Sequence, residues 1–147
     1  MTPADATKYP PTGRDSDDDG SVLLLTLGYA LLALVLVLVC VDATSLYLTQ
    51  KRADAAADAA ALAGADGFTL TIEGGVPTAR LTDEGVHGQA AELLDALGTA
   101  RLVAASTPDG VSARVSVELD WRPPVLTLFV PDGWTIQATA TSRTALR

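Results

Sequence analysis

Cysteine and histidine are almost absent from this chain: one of each, Cys40 and His87, in 147 residues. A single thiol excludes an internal disulfide framework and a multi-thiolate metal site. A single imidazole leaves one possible centre for a Ser-His-Asp arrangement and no cluster with metal-ligand spacing. His87 falls between Val86 and Gly88 on the polar side of an expected helix, where it reads as a solvated surface histidine rather than a general base. Lysine occurs only at Lys8 and Lys51, so a polybasic lipid-binding segment is missing. The formal charge of −8 argues against a nucleic-acid partner, whose phosphates demand clustered Lys and Arg. No glycine-rich loop follows a strand and opens a helix, so a phosphate cradle is absent as well. These absences lead to the expectation of a non-enzymatic protein with no cofactor, no bound metal and no small-molecule substrate.

Long apolar sequence, by contrast, is present. From Ser21 to Val41 the chain reads "SVLLLTLGYALLALVLVLVCV", twenty-one residues without a charge. About twenty such residues span the hydrocarbon core of a bilayer as a helix. A cleaved signal peptide is the rival reading, with Val41 and Ala43 as the small residues before a cut. The run exceeds the usual ~7–15 residues of such a segment and lacks a basic flank, so an anchor is expected. Gly20 and Ser21 mark one membrane boundary and Asp42 the other. Cys40, at that second edge, follows Val39 rather than a small residue. That argues against lipoprotein cleavage, and burial is favoured over acylation. Lys8 and Arg14 before the span balance Lys51 and Arg52 after it, so charge alone does not orient it.

The segment before the span, Met1 to Asp19, mixes proline, polar and charged residues without apolar periodicity, and is expected to be a disordered tail. Asp15, Asp17, Asp19 and Gly20 imitate the opening of a calcium loop. The twelfth position of that loop needs a bidentate carboxylate and is here Thr26, so solvated charge is the better reading.

After the span, residues 42–65 keep helical spacing, and nine of the thirteen residues from Ala53 to Ala65 are alanine. Alanine has the highest helix propensity, so the helix can continue past the bilayer. Leu46, Ala53, Ala57, Ala60 and Gly64 fall near one face, with Asp54 and Asp58 on another. A small-residue stripe permits close approach of another helix, and the expectation is a helix-packing interface with partner components. A plain spacer helix accounts for the periodicity equally well.

The order of these features resembles the N-terminal region of TadG-like proteins of tight-adherence (Tad, or Flp) pilus assembly systems. The residues that carry the likeness are Gly20, Ser21, Asp42, Leu46, Tyr47, Leu48, Arg52 and the block from Ala53 to Ala65. TadE-like pseudopilins usually carry a glutamate shortly after the glycine that precedes the span. Leu25 stands at the fifth place after Gly20, which favours the TadG-like side. The resemblance implies a pilin-like helix, a cytoplasmic N-terminus, an extracytoplasmic C-terminal domain, and other pilus or secretion components as partners.

Residues 66–147 are expected to form that domain. "GFTLTIEGGVPTARLT" reads as two strands about Gly74-Gly75. Thr82 caps a helix with Val86, Ala90, Leu93, Leu94 and Leu97 at helical spacing, and Gly98 ends it. "LVAAST" leads into the turn Pro108-Asp109-Gly110. Val111, Ala113, Val115, Val117, Leu119 and Trp121 then alternate as a half-buried strand, and Trp134, Ile136, Ala138 and Ala140 repeat the pattern. Between them, "VLTLFV" reads as a short strand or an apolar loop. The fold class expected is α+β: a transmembrane helix (20–41), an alanine-rich extension (42–65), and a small domain with one helix on an antiparallel sheet. The functional expectation is a single-pass membrane component of a pilus-like machine. A membrane-anchored envelope binding module is the alternative.

Overall fold

The computed structural model describes residues 16–128 and 131–143. The tail expected at Met1–Asp19 therefore lies largely outside the described residues, and its last four residues open the first helix. That helix, α1, runs Ser16–Asp66. It is followed by β1 (Thr69–Glu73), β2 (Val76–Arg80), α2 (Asp83–Leu97), β3 (Arg101–Ser106), β4 (Ser112–Trp121), a short 3₁₀ turn (Leu126–Leu128) and β5 (Trp134–Arg143). The architecture is α+β, with antiparallel sheets and helix packed on sheet, as the periodicities require.

The chain divides into two compact units at Val39/Cys40. In the first, nearly all the large apolar side chains of α1 point outward, Leu24 at 72% exposed and Val39 at 51%, while Leu38 is half-buried. A helix that is apolar on every side is stable only inside a larger core or in lipid.

In the second unit, β3, β4 and β5 form a meander with β4 central. β4 pairs with β5 along its whole length, from Ser112 opposite Arg143 to Trp121 opposite Trp134. The β3–β4 ladder shifts register between Leu102 and Ala104. One face of this sheet buries Ala113, Val115, Val117, Trp121, Ile136, Ala138 and Ala140. The other is a polar ladder: Ser116 and Thr139 hydroxyls lie 2.8 Å apart, Arg101 pairs with Glu118, and Thr135 donates to Asp120. Such cross-strand pairs suit a face left to water. Among the described residues, β1 and β2 pair only with each other, through Gly74-Gly75.

α2 has the caps expected of it. The Thr82 hydroxyl accepts from the Gly85 N–H at 3.2 Å, and Gly98, at φ 61°, donates to the Leu94 carbonyl at 2.9 Å. Asp83 and Glu84 lie in the first turn, where the helix dipole favours negative charge. Asp83 also accepts the Thr107 N–H at 2.7 Å, which ties the start of α2 to the end of β3. Val86, Ala90 and Leu94 are buried; Leu97, expected with them, is 48% exposed.

The alanine-rich part of α1 belongs to this core. Ala53, Ala56, Ala57, Ala60, Ala61 and Ala65 form one buried cluster with Val86, Ala90 and Leu94 of α2 and with Val115 and Val117 of β4. The division expected at residue 65/66 thus separates residues that pack together, because alanine periodicity does not reveal which surface meets the stripe.

Candidate functional site at the exit of the apolar helix

Alanine side chains let α1 come close to its neighbours, Gly64 brings it closer still, and Gly67, just past its end, continues the close approach. A methyl group added at Gly64 would stand 2.9 Å from Val86 Cγ1 and 3.4 Å from Ala113 Cβ. Gly67 crosses Gly85 backbone to backbone: a Cβ on Gly67 would lie 2.7 Å from the Gly85 carbonyl oxygen. The chain's own domain packs on this face of α1. Ala53 and Ala60 are 0% and Ala57 1% exposed, so these positions have no surface left for a partner helix. This corrects the intermolecular reading of the stripe. Leu46 stands apart from it, 38% exposed.

On the flank, Asp54 accepts from Gln50 at 3.0 Å and from Lys51 at 3.2 Å. The Gln50 amide, then the Lys51 ammonium, hold its carboxyl below the ordinary range. Asp58 is exposed. These are solvated helix pairs of small energetic weight.

Asp42 is the most unusual polar group. It is 5% exposed, and its Oδ1 accepts the backbone N–H of Val125 at 3.1 Å, across 83 residues of sequence. Its Oδ2 is buried without a hydrogen-bond partner. One turn further along α1, Ser45 Oγ accepts from Trp121 Nε1 at 3.2 Å. Two bonds thus clamp the end of β4 and the loop after it to the first turn of α1 beyond the apolar run. Trp134, opposite Trp121 in the ladder, is 69% exposed even though Ile136, two residues on, is buried. Sequence reading placed Asp42 at a membrane boundary but missed its bond to Val125. Pro123-Pro124, which stop β4 beside an apolar stretch, are the only local sign of such a loop. Gly20 and Ser21 are exposed at the other end of the run.

His87 is exposed on α2, and Cys40, expected to be buried, is exposed. Among the described residues, no three His, Cys, Asp or Glu side chains gather as a metal site.

The fold defines a class: a helix long and apolar enough to cross a membrane, continuing into an α+β domain built on its second half. Residues 20–67, about a third of the chain, match the family model described as Putative Flp pilus-assembly TadE/G-like. That match covers the apolar run and the alanine stripe, the segment on which the sequence resemblance rested. No curated protein and no solved structure matches the chain.

Proposed function

We propose that this protein is a non-enzymatic, single-pass membrane component of a Tad/Flp-type pilus assembly or secretion system, a minor pilin-like or assembly subunit. The observation that carries the reading is the two-part character of α1. Its first half is apolar and largely exposed, and its second half is the spine of a small antiparallel domain. A helix of this kind can hold a subunit in the bilayer and release it into a helical assembly without refolding the domain. The family match over the same residues supports the pilus context. The N-terminal tail lies in the cytoplasm and the domain outside.

The test is membrane fractionation followed by crosslinking in the native host. The full-length chain should stay in the pellet after alkaline carbonate and crosslink to other single-span pilus components. With Cys40→Ser as background, an impermeant thiol reagent on whole cells should label Glu92→Cys and spare Ser16→Cys. Release by carbonate, or absence from every pilus complex, would defeat the proposal; the reverse labelling would invert its topology.

A further inference from the structure

We infer that the β4–β5 end of the domain is a membrane-contact surface, with Trp134 seated in the interfacial layer of the bilayer that α1 spans. The inference rests on the anchored reading above and adds a second point of contact to it.

Depth comes from the chain itself. The uncharged run Ser21–Val41 holds twenty-one residues, which at ~1.5 Å per residue matches the ~30 Å hydrocarbon core. Asp42, the next residue, therefore stands at the boundary. Val125 is hydrogen-bonded to Asp42 and Trp121 to Ser45, one helical turn on. These bonds fix the end of β4 and the start of its loop at the same depth, and the ladder fixes Trp134 beside Trp121. The interfacial layer adds roughly 5–8 Å on each side of the core, and one helical turn fits within it.

Chemistry selects the occupant. Trp134 is on the helix-covered side of the sheet by alternation, but helix does not cover it, and it is 69% exposed. A tryptophan has an apolar body and one N–H donor, and interfacial belts are enriched in it because one end of the side chain favours hydrocarbon and the other water. Arg122, Asp120 and Asp132 are exposed around it, so the local charge gives no attraction to anionic lipid. Zwitterionic phosphatidylcholine is sufficient, and the contact should be insensitive to salt.

The test uses the full chain reconstituted in phosphatidylcholine vesicles, with lipid brominated near the head of the acyl chains as the quencher from the membrane side and iodide from the water side. The emission of Trp134 is read as the difference between the parent and Trp134→Phe, a change that leaves the Trp121–Ser45 bond in place. The expected result is that Trp134 loses most of its emission to brominated lipid, little to iodide, and equally at low and high salt. If the chain floats with the vesicles while iodide quenches Trp134 and bromine does not, the contact is refuted and the anchor survives. Quenching by neither means that protein covers Trp134, which also overturns the inference. A chain that fails to float removes the anchor and the contact together.

Discussion

Gly85 and Gly88 lie three residues apart on α2, and replacing each with alanine should move stability in opposite directions. Gly88 is exposed, and a Cβ there meets nothing within 4 Å. Alanine at that position gains the difference in helix propensity alone, about 1 kcal/mol. Gly85 offers the same gain at most. Its Cβ, however, would stand 2.5 Å from the Gly67 carbonyl oxygen and 3.2 Å from Thr82 Oγ1, inside the 3.4 Å at which ordinary contact begins. The first obstacle is backbone and cannot swing away. The second is the side chain that caps the helix, so relief in that direction disturbs the cap, worth ~1 kcal/mol. Overpacking of this kind costs ~1–3 kcal/mol, so Gly85→Ala should be destabilising on balance. Near-ultraviolet circular dichroism of the full chain in mild detergent, followed in the tryptophan band beyond the absorption of Tyr29, reads the domain through buried Trp121 and not the apolar half of α1. At roughly 4–8 °C per kcal/mol for a domain of about this size, Gly88→Ala should melt above the parent and Gly85→Ala below it. Equal stabilisation by both would refute the backbone crossing of Gly67 and Gly85.

Three further outcomes follow from the same contacts. Ala57→Leu, placed where the side chain is 1% exposed, should cost ~1–3 kcal/mol in the same melt, whereas Asp58→Asn should stay within about 0.5 kcal/mol of the parent. Asp42→Ala should cost ~1–3 kcal/mol by leaving the Val125 N–H without its acceptor, while Asp42→Asn, which keeps that acceptor but places an amide NH2 where Oδ2 has no partner, should lose less than Asp42→Ala. Asp109 is held below its ordinary carboxyl range by the Val111 N–H first, then by the Ser112 hydroxyl and N–H and by Arg143. Its contribution is therefore complete above the unfolded-state value and lost as pH falls through the lower folded value, so an acid titration of stability should lose one proton-linked step in Asp109→Asn.

Much of the domain was legible because its signals are local. Thr82 and Gly98 bracket α2, Gly74-Gly75 make the hairpin, and the alternation from Ala113 to Trp121 is a strand wherever the chain places it. The apolar run was equally plain, since twenty-one uncharged residues in a row have the length of a helix that can cross a membrane. What stayed hidden needs knowledge of what lies opposite. An alanine stripe reads the same whether its cover is another subunit or β4 of the same chain. Three of its buried members, Ala56, Ala61 and Ala65, lie off the stripe that the spacing suggested. The Asp42–Val125 bond and the Gly67–Gly85 crossing join residues with no shared periodicity. Trp134 keeps the parity of Ile136 but not its burial, because the helix cover does not extend over that end of the strand.

The alanine spine also bears on the interval before the domain closes. Residues 53–65 are made well ahead of the surface that buries them: Val115 and Val117 of β4 follow roughly 60 residues later, about 3–12 s at ordinary synthesis rates. Through that time the stripe is bare. Leucines there would expose several times the apolar area and invite association between unfinished chains. Alanines expose little and still hold the helix by propensity alone. The composition that makes the finished core thin is also the one that keeps the nascent chain from sticking.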